Sequence, residues 1–468
     1  MCLIWWNNFN INQPLLWNRE LNTLWHGIVN ITKCEICLLY IHRFSRIAKE
    51  GGWIVAGQIA SVVGSFVLLR VLTEYIDPAQ YGQLALGLTV AGLINQVVMG
   101  GVIAGISRYY PIACEKSDLY GYFQASVQIM AYATLAVATL GTILLAGLYW
   151  FDHVQWIGLA SAALIFSVFS AYNAALSSIQ NAARQRAIVA FHSSLDSWLK
   201  IVLAVAAIRW IGSSSTAVVI GYTVSALLVS SSQFLFLNKL VHSEVQMKNT
   251  ADNWRKQMWL YSLPISTWGI FTWAQQASDR WALQRCASTD LVGQYAVVFQ
   301  LGYTPIMLAT GLATTLLGPV LFQKSGDATN QQRIANVQSL SWRLVYLCLG
   351  LTLLAFLFAM GTHRWIFSLL VAPVYRSVSY LLPWMLLAGG LFSAGQLLGL
   401  KLLCDLKPHA MIWPKIFTAI LGVALNILGA NIAGLPGVVI AAILFSSIYF
   451  LWMCILNFGS IYNPRNIK

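Results

Sequence analysis

The feature that most constrains this sequence is an apolar stretch that follows the turn at Asp77-Pro78. From Tyr81 to Arg108 it runs for about 25 residues without an acidic or basic side chain. As a helix at about 1.5 Å per residue it measures about 37 Å, more than the roughly 30 Å of a bilayer's hydrocarbon core. Another apolar stretch ends just before the turn, at Arg70, and proline suits the first position of a new helix. The sequence therefore predicts a transmembrane hairpin here.

The rest of the chain repeats this pattern. Its 468 residues are 58% hydrophobic and only 9% charged, whereas about 25% of a soluble domain is charged. No loop between the apolar stretches exceeds about 25 residues, too few for an extra-membrane domain. We predict an all-α polytopic membrane protein with about twelve transmembrane helices. The predicted spans are residues 51–72, 81–106, 122–149, 154–178, 191–211, 214–238, 258–281, 291–318, 339–360, 378–402, 410–432 and 436–459.

An internal repeat divides these spans into two six-helix bundles. Gly82-Gln83-Leu84-Ala85-Leu86 matches Gly293-Gln294-Tyr295-Ala296-Val297, and each opens the second helix of a half. Six is an even number, so both halves enter the membrane in the same direction and are parallel repeats. We expect the first bundle at residues 43–238, a cytoplasmic linker at 239–257 and the second bundle at 258–468.

Residues 1–42 do not fit this pattern. They carry scattered tryptophans among asparagines and lack the basic n-region and clean apolar run of a normal signal peptide. A translated upstream region and a peripheral amphipathic segment are both possible, and the first is favoured. We predict that this N-terminal extension is dispensable.

The basic residues give the orientation. The net charge of +13 would fit nucleic-acid binding, but most lysines and arginines lie in loops on one side of the predicted membrane. This is the positive-inside rule, so we expect both termini in the cytoplasm and no nucleic-acid partner.

Two groups of polar residues lie inside predicted spans. Asp196 and Lys200 are four residues apart and share a helix face; they form either a local ion pair with Lys200 snorkelling or a site for ion coupling or substrate contact. One polar stripe along the seventh span contains Trp268, Thr272, Gln276 and Asp279. Hydrogen bonding between helices and the wall of a water-filled cavity both remain open for this stripe.

Catalytic and metal-binding motifs are missing from the sequence. It contains no Gly-x-x-x-x-Gly-Lys-Ser/Thr loop, no His-Glu-x-x-His and no Gly-x-Ser-x-Gly. The eight cysteines are scattered, and no second pair completes a metal site with Cys34-x-x-Cys37. We expect neither an enzyme nor a cofactor or metal site.

Five short motifs are spread along the chain: Arg70-Val71-Leu72-Thr73, Tyr81-Gly82-Gln83, Arg108-Tyr109-Tyr110-Pro111, Ser278-Asp279-Arg280-Trp281 and Gly293-Gln294-Tyr295-Ala296. With these motifs, about residues 44–460 resemble the polysaccharide-biosynthesis, or Wzx-type (O-antigen), flippases of the multidrug/oligosaccharidyl-lipid/polysaccharide exporter superfamily. One departure is the turn, which reads Asp77-Pro78 where a proline followed by acids is expected.

The resemblance implies a flippase that moves an undecaprenyl-diphosphate-linked oligosaccharide across the bacterial inner membrane, for polysaccharide or lipopolysaccharide biosynthesis. It implies membrane lipids as surroundings, a polysaccharide polymerase and glycosyltransferases as pathway partners, and an ion gradient or membrane potential as the energy source. Two alternatives are a multidrug or cation exporter of the same superfamily, which would prefer buried acids, and a membrane enzyme such as an O-antigen polymerase or ligase.

Three arginines are candidates for contact with the diphosphate. Guanidinium stays charged and binds phosphate oxygens in a two-pronged way. We expect Arg108 to receive the diphosphate at the cytoplasmic mouth, and Arg70 and Arg280 to draw it outward; interfacial anchoring is the alternative. Further candidates are Trp268, Thr272 and Gln276 for substrate binding, and Asp196, Lys200 and Asp279 for ion coupling.

Overall fold

The computed structural model of the protein describes part of the sequence. The predicted extension 1–42, with Cys34 and Cys37, lies outside the described residues. From Ile54 onward, the described residues form one compact unit. The described ranges are 51–241, 251–325, 331–404 and 408–462.

Helices make up the described ranges, in which no β-strand occurs, and the predicted fold class is confirmed. A π-helical turn, Ile94–Met99, joins α2 to α3, and a 3₁₀ segment, Pro373–Leu381, precedes α11. The helices are α1 (Gly51–Tyr75), α2 (Pro78–Leu93), α3 (Gly100–Glu115), α4 (Leu119–Trp150), α5 (Ile157–Ala182), α6 (Arg186–Ile211), α7 (Ser215–Val241), α8 (Ala251–Cys286), α9 (Thr289–Ser325), α10 (Gln331–Leu370), α11 (Leu382–Cys404) and α12 (Ile412–Tyr462).

Ten stretches within the described ranges are long and apolar enough to cross a membrane. One of them, Pro78–Glu115, contains both α2 and α3. Another contains most of α12, which breaks at Gly434 (φ +59°, ψ −130°) into two consecutive helical segments. The seventh predicted span, in α8, is not among the ten because its polar residues lower the hydropathy. Counting α8 and both parts of α12 reproduces the twelve predicted spans in the described chain.

The turn between α1 and α2 has the predicted chemistry. Asp77 caps α2, since its Oδ1 accepts a hydrogen bond from the backbone N–H of Gln80 at 2.7 Å. Pro78 occupies the first helical position, where its missing N–H costs nothing. The side-chain cap and the proline together fix where the second helix of the hairpin begins.

The two repeat glycines meet at the contact between the halves. A Cβ on Gly82 of α2 would clash with the carbonyl oxygen of Thr289, and a Cβ on Gly293 of α9 would clash with that of Pro78. Lipid tails are as apolar as leucine, so membrane helices associate through close packing of small residues rather than through the hydrophobic effect. The repeat that the sequence shows is therefore the surface on which the halves join.

Further contacts close this end of the bundle, which is called the sealed end. The Tyr375 hydroxyl donates to the carbonyl oxygen of Ile76 at 2.9 Å, and the backbone N–H of Ala372 donates to Oγ1 of Thr73 at 3.2 Å. Tyr375 is completely buried in an apolar cluster with residues of both halves, including Leu86. The segment that leads into α11 thus covers the α1–α2 turn.

Helix α8 belongs to the second half in sequence but also packs on the first. Trp254 is buried and donates from Nε1 to Asp118 at 2.7 Å, while the other oxygen of Asp118 caps α4. Gly105 of α3 leaves no room for a Cβ beside Ser262 of α8. The described part of α8 begins at Ala251, within the predicted linker 239–257.

Candidate functional site

A cavity of about 480 Å³, the central cavity, lies between the two halves. Its volume falls within the roughly 300–1,000 Å³ of ordinary ligand sites. Lys200 comes from the first half and Arg280 from the second, so each half brings a positive charge to the wall. The polar residues of the wall are Ser65, Tyr81, Thr89, Gln96, Ser197, Lys200, Tyr222, Trp273, Gln276, Arg280 and Gln300.

Lys200 is held by its own helix and by two aromatic rings. Its Nζ lies 2.6 Å from Oδ2 of Asp196, four residues earlier on α6, as the sequence predicts. The other carboxylate oxygen of Asp196 accepts from the Ser225 hydroxyl at 3.1 Å. Nζ also lies 5.7 Å and 5.9 Å from the ring centroids of Phe166 and Tyr222, within the range of cation–π attraction. The ammonium is therefore neutralised and fixed before any ligand arrives.

Arg280 is held more loosely. Its NH1 donates to the backbone carbonyl of Gln276 at 3.1 Å and lies 3.6 Å from Oδ1 of Asp279. The guanidinium stacks on Phe299, 4.7 Å from the ring centroid. Asp279 in turn accepts from the Tyr295 hydroxyl at 2.8 Å. Since a guanidinium carries five N–H donors in a planar fork, this arrangement orients Arg280 while leaving it suited to a planar or phosphate-like acceptor.

A hydrogen bond links the halves across the cavity. Nε2 of Gln96, in the π-helical turn, donates to Oε1 of Gln276 on α8 at 2.9 Å. Gly269 lies against the backbone of Gln96, where no Cβ would fit. π-Helical turns are frequent at functional sites. Sequence reasoning identified Gln276 but missed Gln96, which reads as one more polar residue in an apolar span.

The stripe predicted on α8 is divided among several cavities. Gln276 lines the central cavity and two others. Asp279, only 5% exposed, lines the second-half cavity of about 430 Å³. Thr272 lines a cavity of about 400 Å³ on the other side of Gln276. Trp268 belongs to α8, but its side chain lies outside the described residues.

Two of the three predicted arginines do not line any of the five cavities described. Arg70 pairs with Glu74 on the same helix at 2.8 Å, and both side chains are at least a third exposed. Arg108 is exposed on α3. Leu69, beside Arg70, does line the central cavity. Helix α1 therefore contributes to the cavity wall, but its Arg70 side chain does not.

Two further basic side chains line cavities in the interior, and sequence reasoning did not identify them as site residues. Lys415 lines two cavities of the second half. Arg186 lines a cavity of about 340 Å³ between α1 and α6 of the first half and α9 of the second. NH1 of Arg186 donates to Oδ1 of Asn181 at 2.6 Å. The available signal for Lys415 was its position inside the predicted span 410–432.

Residues 47–325 match the sequence profile of the family described as polysaccharide biosynthesis protein, which is more than half of the chain. Among curated proteins no sequence match to the chain is found.

Solved structures share the fold at low sequence identity. The lipid II flippase MurJ, in an inward closed conformation, aligns at a TM-score of 0.62 and 12% identity, over 88% of this chain and 87% of its own. A mutant MATE transporter from Vibrio cholerae aligns at 0.60 and 13% identity, over 90% and 97%. A MOP superfamily transporter from Pyrococcus furiosus aligns at 0.58 and 14% identity, over 88% and 97%. At these identities the likeness shows a common fold of two repeats.

Proposed function

The chain belongs to the polysaccharide biosynthesis protein family, and we propose that it is a flippase for a lipid-linked oligosaccharide. The substrate is an oligosaccharide on undecaprenyl diphosphate, which moves from the cytoplasmic to the outer leaflet of a bacterial inner membrane. It serves polysaccharide or lipopolysaccharide (O-antigen) synthesis, together with glycosyltransferases and a polymerase of the same pathway.

One observation carries this proposal. Lys200 of the first half and Arg280 of the second half both line the central cavity. The acids beside them, Asp196 and Asp279, are not part of its wall. A diphosphate carries negative charge that hydrocarbon cannot solvate, and charge-assisted hydrogen bonds to cations replace its water. Glutamine amides and aromatic rings beside the cations suit sugar hydroxyls and ring faces. A cation exporter would instead need acids on this wall.

The proposed orientation follows from the basic loops. It puts both termini in the cytoplasm and the sealed end on the outer side, so the structure corresponds to a state closed toward the outside. Single cysteines at positions 117 and 185, in a chain whose own cysteines are replaced, test this. Both should react with a membrane-impermeant maleimide only after the membrane is opened; labelling of intact cells would reverse the orientation.

Reconstitution tests the transport itself. The purified chain is placed in vesicles containing undecaprenyl diphosphate linked to an oligosaccharide whose last sugar carries a nitrobenzoxadiazole fluorophore. Dithionite bleaches only the outer leaflet of protein-free vesicles, and vesicles with the protein should lose fluorescence from both leaflets. An Arg280→Gln variant should behave like protein-free vesicles. Export of a cationic dye with no movement of the glycolipid would favour the cation exporter instead.

A further inference from the structure

Lys415 lies in the first turn of α12 and lines two adjoining cavities, the Lys415 cavities, of about 400 Å³ and about 290 Å³. Met307 of α9 and Gln396 of α11 line both of them. The larger one also contains Gln275 and Thr272. A lysine inside a predicted span is therefore part of the polar interior of the second half.

The Lys415 cavities continue the path that begins at the central cavity. Gln276 lines both the central cavity and the larger Lys415 cavity. Along α9, the central cavity contacts Gln300 and the Lys415 cavities contact residues from Met307 to Thr314. At 1.5 Å per residue, Met307 lies about 10 Å beyond Gln300, away from the sealed end.

The position of Lys415 favours a bound anion. Ionisable residues within transmembrane segments commonly mark substrate or ion pathways. The first turn of a helix carries the positive end of the helix dipole. The ammonium and this helix end would attract an anion together. The amides of Gln396 and Gln275 supply further N–H donors.

Interfacial anchoring does not account for this lysine. Trp413 is 73% exposed and marks the outward face of the first turn of α12. Residues two apart on a helix point to opposite sides, so Lys415 points inward, and it is half-buried. A lysine that snorkelled to the membrane surface would share the face of Trp413.

We propose that Lys415 is a second binding station for the phosphate-bearing head group of the lipid-linked oligosaccharide, farther from the sealed end than Lys200 and Arg280. This inference rests on the proposed flippase function. In the proposed orientation the Lys415 station lies on the cytoplasmic side, and it receives the diphosphate before the central cavity does. The role that the sequence suggested for Arg108 belongs on this view to Lys415.

Binding measured apart from transport tests the station. The full-length chain is placed in nanodiscs of zwitterionic phosphatidylcholine and titrated with undecaprenyl diphosphate, with neutral undecaprenol as the uncharged comparison. Lys415→Gln should raise the Kd for undecaprenyl diphosphate about fivefold or more, the loss of one charge-assisted contact. Lys415→Arg should keep most of the affinity, and none of the variants should change binding of undecaprenol.

A matched control and a double variant sharpen the result. Lys256→Gln removes an exposed lysine of α8 and should leave the Kd unchanged. The double variant Lys200→Gln with Lys415→Gln should bind undecaprenyl diphosphate more weakly than either single variant, because both stations are then impaired. A second arm adds phosphatidylglycerol to the nanodiscs, because a membrane phospholipid offers the same phosphate chemistry.

Each outcome decides a different point. An unchanged Kd in Lys415→Gln, with normal binding by the unaltered chain, overturns the station and leaves the flippase proposal intact. No binding of undecaprenyl diphosphate by the unaltered chain overturns the flippase proposal itself. If phosphatidylglycerol removes the difference between the unaltered chain and Lys415→Gln, the site holds a structural phospholipid and the station is wrong. Should Lys415→Gln fold poorly, the comparison of Lys415→Arg with Lys415→Met in stable protein decides.

Discussion

The two halves bring one cation each to the central cavity but hold it in different ways. In the first half, Lys200 makes a short 2.6 Å ion pair with an acid on its own helix. In the second half, NH1 of Arg280 lies 3.6 Å from Oδ1 of Asp279, and Asp279 also accepts a hydrogen bond from the Tyr295 hydroxyl. These two cations stand on helices that the repeat does not relate, the fifth of the first half and the first of the second half, and their surroundings differ accordingly.

The difference indicates a division of labour. The charge of Lys200 is largely balanced before a ligand arrives, and its side chain is fixed between aromatic rings. Arg280 is oriented by stacking and by one backbone acceptor, and its fork matches phosphate oxygens in a way that lysine cannot. We therefore expect Arg280 to dominate binding of the diphosphate and Lys200 to contribute less.

The largest effect is expected at Arg280. Arg280→Gln should raise the Kd for undecaprenyl diphosphate about thirtyfold or more, because two charge-assisted hydrogen bonds are lost. Arg280→Lys should recover only part of the affinity, since the ammonium cannot bind two oxygens as a fork. Nanodisc titration measures both. Equal affinity of the lysine variant and the unaltered chain would show that charge alone matters and would remove the distinction between the halves.

A smaller loss is expected at Lys200. Lys200→Gln should raise the same Kd about threefold to fivefold, because the lost cation is already paired with Asp196. Its melting temperature, followed by circular dichroism in detergent, reports whether the fold is retained. A loss as large as that of Arg280→Gln would contradict the division of labour.

Removal of the Asp196 carboxylate should lower the Kd for undecaprenyl diphosphate, whereas the substitutions of Arg280 and Lys200 raise it. Asp196→Asn keeps an acceptor for Ser225 but frees the ammonium of Lys200, so the Kd for undecaprenyl diphosphate should fall about twofold to threefold. The double variant Asp196→Asn with Lys200→Gln serves as the control, and it should lose this gain. A weaker affinity in Asp196→Asn alone would mean that the acid contacts the ligand or a coupling ion.

The smallest effect is expected at Arg70. Arg70→Gln should change neither the Kd nor glycan export by more than about twofold, since exposed ion pairs such as that with Glu74 contribute little. Export from cells is compared at equal amounts of protein in the membrane. A loss comparable to that of Arg280→Gln would restore the symmetry between these arginines that the sequence motifs imply.

Helix content, span number and the division into two halves were predictable because they depend on features that the sequence carries locally. Apolar length sets the spans, and the Asp77-Pro78 cap sets a helix start. The pair Asp196 and Lys200 follows from the helical repeat alone. The family was also predictable, because its short motifs are local features of the sequence. The match of residues 47–325 to the family confirms this prediction.

The site was predictable only in part, because its residues come from seven helices. The four-residue spacing of Gln276 and Arg280 showed that they share a face, but it could not show that this face meets Lys200. Arg70 and Arg280 stand at similar places in the two repeats, yet only Arg280 lines the central cavity. A small rotation of a helix about its axis decides between these outcomes.

The sequence by itself determined which segments cross the membrane and which residues are neighbours on one helix. Only the tertiary structure decided that Gly82 touches the second half, that Lys200 and Arg280 share a cavity, and that Lys415 faces inward. The reason lies in the solvent. In water, hydrophobicity separates the inside of a protein from its outside, whereas lipid tails are as apolar as the helix faces that pack together. The rotation of each helix is therefore set by close contacts and hydrogen bonds between distant residues, which no local pattern records.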